Sequence, residues 1–299
     1  MLSIDKIEAG LAKGEVLILD GGMGTEIRRR SGLPGSSDLA VTQMIKSPGL
    51  IRELHEDYIK AGAAVITANT YDCNRPALEQ VGIEPSRVAH LTAMAVELAR
   101  EARDGAGHEN EVCIAGSLGP LGSDYDPDDV PPLDVCLSVY REQVEAMASS
   151  GVDLILVETA ARVRSARAGV KAAVEMGLTA WASLIADSKG RVKSGESWGE
   201  AVEVLLSDGA SAVLINCTQP EDLSLAINEL AQRSAVPVGA YAQCARYKGF
   251  GWEFGPSMSP QRYLDYARQW VDAGARIVGG CCGTTPEHIR ALGSLRNQA

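Results

Sequence analysis

The first regularity along the chain is a repeated unit: a short apolar run rich in β-branched residues, then a loop, then a longer segment of helical character. Eight such runs stand near Val16–Leu19, Ala64–Ala68, Val112–Ala115, Leu154–Val157, Ala180–Leu184, Ala212–Ile215, Pro237–Ala240 and Arg276–Val278. They lack polar alternation, as parallel strands covered on both faces do. The segments between them read as amphipathic or Ala-rich helices. In Ser86–Asp104, the residues Val88, Leu91, Ala95, Leu98 and Ala102 fall on one stripe. Ser259 and Pro260 supply a cap and a first helical residue for a helix ending at Ala273, before Gly274. Thr285-Pro286-Glu287 opens a further helix toward Leu295 in the same way. Gly119–Leu133, rich in Asp and Pro, reads as a long loop after the third strand.

Eight β/α alternations in 299 residues predict an α/β fold of the (β/α)8 TIM-barrel type, one domain over residues 1–299. A doubly wound sheet usually has fewer strands for this length and a phosphate-binding turn. The segment GGMGTE has neither the GxGxxG nor the Walker pattern, so its glycines read better as letting backbone amides approach a small substrate.

Composition narrows the function. Hydrophobic residues make up 45% of the chain and aromatic ones only 5%, so the core is built from Ala, Val, Leu and Ile. A formal charge of −11 argues against nucleic acid or an anionic membrane as partner, because both need clustered Lys and Arg. No apolar run approaches the roughly 20 residues of a membrane span. The start, MLSIDKIEAGLAKGE, has no signal-peptide core, so the expected compartment is the cytoplasm. Seven cysteines without a CxxC pair fit thiols, metal ligands or small buried hydrophobes better than a secreted disulfide framework.

In a (β/α)8 barrel the active site forms at the C-terminal ends of the strands. Those ends carry Asp20-Gly21-Gly22, Asn69-Thr70-Tyr71, Gly116-Ser117, Glu158-Thr159, Asn216-Cys217, Tyr241 and Gly279-Gly280-Cys281-Cys282. Three cysteines, two carboxylates and two tyrosines thus converge on one rim. Thiolates are soft ligands suited to zinc, and three protein ligands with one open position is the pattern of a catalytic site. The competing reading of Cys281-Cys282 is a pair of small residues in a tight turn, or a vicinal disulfide. Cys73, Cys113, Cys136 and Cys244 read as structural, with Cys244 the nearest rival as a ligand. Glu158, at the end of a buried strand, needs a cation or donors, and a substrate ammonium would serve. Asp20 reads either as a partner in that role or as a helix cap. The histidines His55, His90, His108 and His288 have no metal spacing and read as packing or surface residues.

At these residues the chain resembles the homocysteine S-methyltransferases. That group includes S-methylmethionine- and betaine-dependent enzymes and the homocysteine module of cobalamin-dependent methionine synthase. The matching elements are LILDGGMGTEI, VITANTY, GSLGP, LILVET, VLINC and IVGGCCGTTPEHI, in family order over essentially the whole chain. The resemblance implies a zinc-containing, homocysteine-binding barrel with Cys217, Cys281 and Cys282 as metal ligands. It also implies that Glu158 and the Asp20-Gly21 turn hold the amino-acid part of homocysteine. Thr70, Tyr71, Ser117 and Tyr241 complete the expected substrate wall. The expected reaction is methyl transfer to the homocysteine thiolate, giving methionine, from a sulfonium or betaine-like donor. Aromatic faces suit such cationic donors, and Tyr71, Trp198, Tyr241 and Trp252 are the candidates. The segment Arg246–Phe254 concentrates four aromatics, as a donor wall or as an apolar loop over the barrel mouth. After GSLGP the chain departs from the usual family continuation and reads LGSDYDPDDVPP, which leaves the donor open.

Three rival readings remain at this stage. One is a homocysteine-binding component served by a separate corrinoid or folate methyl-donor protein. A second is a non-catalytic thiol or redox-sensing barrel. A third is a metal-dependent barrel hydrolase or lyase, against which stands the lack of histidine at any expected strand end. Assembly as a homo-oligomer is left open.

Overall fold

The computed structural model describes residues 4–32, 40–108, 111–122, 125–247, 252–253 and 258–296. Eight parallel strands form one sheet: β1 (Leu17–Ile18), β2 (Val65–Ala68), β3 (Cys113–Leu118), β4 (Leu154–Ala160), β5 (Ala180–Leu184), β6 (Ala212–Asn216), β7 (Val238–Tyr241) and β8 (Ile277–Val278). Their spatial order is β1-β8-β7-β6-β5-β4-β3-β2. The ring closes between β1 and β2 through the parallel bridge of Leu19 with Val65. Around that bridge the Ala64 N–H donates to the Ile18 carbonyl at 2.8 Å, and the Asp20 N–H donates to Val65 at 3.1 Å. Helices alternate with the strands throughout, giving the (β/α)8 barrel.

Strand side chains alternate between two apolar compartments. Leu19, Val65, Cys113, Ala115, Leu154, Leu156, Trp181, Ala212, Leu214 and Ile277 cluster together, with Ile7 and Leu11 of the first helix, Ile4–Ala12, packed against them. Their neighbours Ile18, Ile66, Ile114, Ile155, Val157, Val213, Ile215 and Val278 join the helix residues Val96, Val144, Met147, Val170, Leu205, Ile227 and Trp270 in the larger cluster. Both faces of each strand are therefore dry, which is why no strand shows polar alternation. Small helix residues let the layers approach. A Cβ at Gly169, in the helix Val163–Glu175, would sit 2.6 Å from Val157 Cγ2 of β4.

The eight expected strands are all present. β3 and β4 run further than their apolar cores suggest, so Ser117 and Glu158 lie within strands rather than after them. The helix expected over Ser86–Asp104 is a 3-10 turn, Pro85–Arg87, followed by the helix Val88–Gly105. Ser259 caps the helix Pro260–Asp272, accepting from the Arg262 N–H at 3.3 Å. The stretch between β3 and the helix Leu133–Ser150 has neither helix nor strand among its described residues, matching the expected loop. After β7 a two-stranded antiparallel hairpin pairs Arg246–Tyr247 with Trp252–Glu253. The aromatic side chains of segment 246–254, including Trp252, lie outside the described residues. Trp198 corrects one expectation: it opens the helix Trp198–Ser207 with its side chain fully buried, and its indole N–H donates to the Gly190 carbonyl at 2.7 Å. Among the described residues no helix is long and apolar enough to cross a membrane.

Candidate active site

At the C-terminal ends of the strands lies a cavity of about 270 Å³. Its lining includes Asp20, Gly21, Gly22, Tyr71, Ser117, Glu158, Tyr241, Cys217, Cys281 and Cys282. The strand-end rule thus gathers residues separated by up to two hundred and more positions in the chain.

The thiols come from two loops. Cys217 follows β6 with a left-handed backbone, φ 44°. Cys281 and Cys282 follow β8 on a loop stitched to its neighbours. The Cys281 N–H donates to the Ala242 carbonyl at 3.0 Å, and the Cys282 carbonyl accepts from Cys244 and Ala245 at 2.7 and 3.1 Å. The Cys281 carbonyl accepts the Thr284 hydroxyl at 2.7 Å. Gly283 has φ 85°, and a Cβ there would stand 2.6 Å from the Ala245 nitrogen, so the loop needs glycine on both counts. The three sulfurs all lie within 4.8 Å of one another. Cys217 and Cys281 bring their sulfurs into contact, with Cα atoms 5.8 Å apart. A tetrahedral zinc–thiolate centre, with Zn–S near 2.3 Å, separates its sulfurs by about 3.8 Å. Three sulfurs gathered this closely on a cavity wall fit that donor set as thiolates.

The carboxylates face the same space. Glu158 accepts the Ser117 hydroxyl at 2.5 Å and the Tyr241 hydroxyl at 3.2 Å. Burial pushes its carboxyl above the usual range, against the pull of those two bonds. Asp20 accepts the Thr67 N–H at 2.7 Å and the Thr67 hydroxyl at 3.0 Å. Burial nevertheless raises Asp20 to about 7, and the charge of Glu158 adds to the rise. Two acids held partly against ionisation in one cavity would both be favoured in their charged form by a nearby cation. Asp20 caps no helix.

The third wall is the start of the helix Met23–Ser31, with Gly22, Met23, Gly24 and Thr25 on the cavity. Gly22 as N-cap supplies no side chain, so this end of the helix offers backbone amides and positive dipole to an anion. The wall is tied to the cysteine loop: the Gly22 N–H donates to Thr284 Oγ1 at 3.1 Å, and the Gly283 N–H to Thr25 Oγ1 at 3.0 Å.

Thr70 departs from expectation. It is fully buried and off the cavity wall, because its hydroxyl donates to the Ser117 carbonyl at 2.9 Å and accepts the Ser117 N–H at 2.9 Å, joining β2 to β3. Strand-end reasoning missed Thr67, Asp72, Arg28, Gln43 and Tyr125, which also line the cavity. Tyr125, in the loop after β3, reaches Gln243 with a 3.1 Å hydrogen bond. Only Thr67 carried a usable signal, since it lies inside an expected strand beside the one bearing Asp20. Cys73, Cys113, Cys136 and Cys244 stand outside the cluster, and burial pushes Cys113 and Cys244 up to about 12. Such thiols are inert.

Comparisons with known proteins identify the family and the fold. A family model described as homocysteine S-methyltransferase matches residues 17–295. The homocysteine S-methyltransferase of Escherichia coli (strain K12) is 30% identical over 306 residues, covering 96% of this chain and 97% of that protein. The crystal structure of the Escherichia coli homocysteine methyltransferase MmuM in its metallated form superposes with a TM-score of 0.82 at 29% identity, covering 96% of this chain and 99% of that one. The oxidized form of the same enzyme gives 0.82 at 30% identity, covering 95% and 97%.

Proposed function

Since this chain belongs to the homocysteine S-methyltransferase family and transfers a methyl group to homocysteine, we propose that it does so with zinc held by Cys217, Cys281 and Cys282 and with a small cationic methyl donor. The observation that carries the proposal is the convergence of those three sulfurs, within 4.8 Å of one another, on a cavity that also holds Asp20 and Glu158.

A free alkyl thiol titrates near 8.5, so little of it is nucleophilic at neutral pH. Zinc, when bound, supplies the Lewis acidity that keeps the acceptor sulfur ionised. The protein's own groups do the rest. Glu158 and Asp20 take the homocysteine ammonium. Ser117 and Tyr241 fix the Glu158 carboxylate by their hydroxyls. Thr67 fixes Asp20 in the same way. The amides of Gly21, Met23 and Gly24, at the helix start, receive the substrate carboxylate. Anchoring both ends of the amino acid leaves the thiol one place to lie, toward the cysteines. Holding it in line with an incoming methyl group supplies several kcal/mol of the barrier reduction. Tyr71, on the cavity wall, offers an aromatic face to the cationic donor.

A disulfide between Cys217 and Cys281 would remove two of the three ligands, so the protein is assayed under reducing conditions. The test is methionine formation from homocysteine by the reduced, zinc-loaded protein, with S-methylmethionine, betaine, dimethylsulfoniopropionate and a methylated corrinoid offered separately. Turnover with a small donor alone supports the proposal. Turnover only with the corrinoid transfers the donor role to a partner protein. Equal turnover after zinc removal overturns the metal assignment.

A further inference from the structure

Among the described residues, two that are not glycine have left-handed backbone: Thr159, φ 61°, and Cys217, φ 44°. For a β-branched residue this region is a genuine outlier, and it persists only where the surroundings enforce it. Thr159 directly follows Glu158. The register between β4 and β5 also shifts between Val157 and Ala160, so the chain bulges at Glu158–Thr159. A bulge takes a residue out of the ladder and re-aims its neighbours.

One side chain holds this bulge. Asn216, fully buried at the end of β6, accepts the Thr159 N–H on Oδ1 at 2.9 Å and the Ser183 hydroxyl on the same oxygen at 2.7 Å. Its Nδ2 donates to Thr159 Oγ1 at 2.9 Å. The amide thus grips Thr159 by backbone and side chain at once, across β5, which lies between β4 and β6. Ser183 of β5 fixes which way the amide faces. A plain cross-strand hydrogen bond would need neither the double grip nor the left-handed residue.

We propose that Asn216 is a positioning residue for homocysteine: its amide clamps Thr159 in the left-handed bulge and so aims Glu158 into the cavity. It touches neither substrate nor metal, and it acts through Glu158. The inference rests on the reading above that Glu158 holds the homocysteine ammonium.

The experiment compares Asn216→Ala, Thr159→Gly, the double variant and Glu158→Gln in the reduced, zinc-loaded protein. The readouts are zinc per chain, melting temperature, and kcat and KM for homocysteine. Asn216→Ala raises KM roughly tenfold while zinc stays bound and kcat falls by no more than about threefold, because the strained conformation it releases is of that order. Glycine adopts φ 61° without steric cost, so the double variant brings KM back to within about threefold of the parent. It does so without restoring the lost hydrogen bonds, and the melting temperature stays low. An Asn216 that merely braces the fold gives no such rescue. Unchanged KM in Asn216→Ala, KM that glycine does not recover, or loss of zinc each overturns the clamp. If Asn216→Ala does not fold, Thr159→Val, which cuts one of the three bonds, replaces it: KM raised about threefold supports the clamp and unchanged KM refutes it. Glu158→Gln separates the two claims. Unchanged KM there removes the ammonium reading itself, whereas raised KM there with unchanged KM in Asn216→Ala removes only the clamp.

Discussion

Gly22→Ala tests how tightly the β1 loop holds the proposed metal site. Gly22 has φ −66° and ψ 93°, a conformation alanine adopts freely, so the effect is one of space alone. The added Cβ would stand 2.6 Å from the Cys281 carbonyl oxygen, 3.1 Å from its carbonyl carbon and 2.6 Å from Thr25 Oγ1. Thr25 can turn away only by giving up its bond from the Gly283 N–H, at 3.0 Å, which itself loosens the cysteine loop. The Cys281 carbonyl cannot turn so simply, because it accepts the Thr284 hydroxyl at 2.7 Å and its own N–H is tied to Ala242 at 3.0 Å. Reaching even 3.0 Å moves the Cys281 backbone by about 0.4 Å, beyond the roughly 0.2 Å within which metal–ligand distances are held. Overpacking of this kind costs about 1–3 kcal/mol. If the metal-bound state carries that cost, zinc affinity falls roughly 5- to 150-fold. The assay is competition for zinc against a chromophoric chelator under reducing conditions. Gly24→Ala is the control, since Gly24 also lines the cavity and its added Cβ meets nothing within 4 Å. Zinc affinity within twofold of the parent in Gly22→Ala, or an equal loss in Gly24→Ala, would refute the packing argument.

Changing Cys217 to Ala removes zinc from the reduced protein, measured by elemental analysis, while changing Cys244 to Ala leaves it; stoichiometric metal in Cys217→Ala contradicts the ligand set. Glu158→Gln keeps zinc and raises KM for homocysteine roughly 10- to 100-fold, the worth of a charged hydrogen bond of about 1.5–3 kcal/mol. Asp20 titrates at about 7 when the cavity is empty, so it is neutral below that pH and charged above it. Homocysteine affinity therefore improves as pH rises through 7, and Asp20→Asn flattens that part of the profile; identical profiles exclude Asp20. Because the folded-state value lies above the ordinary 3.8, stability owed to Asp20 is full below pH 4 and is lost as pH climbs to 7. Without substrate at pH 8, Asp20→Asn should melt above the parent, as scanning calorimetry would record.

Much of this architecture was legible from apolar runs, because a parallel barrel buries both faces of every strand and so writes each strand as an uninterrupted hydrophobic stretch. The same rule placed Cys217, Glu158, Tyr241 and the paired cysteines on one rim. It failed where a side chain is settled by hydrogen bonding rather than by strand position. Thr70 stands at the end of β2, yet its hydroxyl is spent on both backbone groups of Ser117. Trp198 offered an aromatic face in sequence, but as the first residue of its helix it is fully buried and its N–H is spent on the Gly190 carbonyl. Arg28, Gln43 and Tyr125 reach the cavity from helices and a loop whose course no periodicity encodes. The left-handed Thr159 and its grip by Asn216 depend on a bulge that leaves no mark in the pattern of apolar residues.

Zinc K-edge X-ray absorption on the reduced, metal-loaded protein asks the central question most directly. Three sulfur neighbours near 2.3 Å with one lighter atom, changing to four sulfurs when homocysteine is added, is the result expected of Cys217, Cys281 and Cys282 with an open position. A first shell that holds fewer than three sulfurs, or one that homocysteine leaves unaltered, would contradict it.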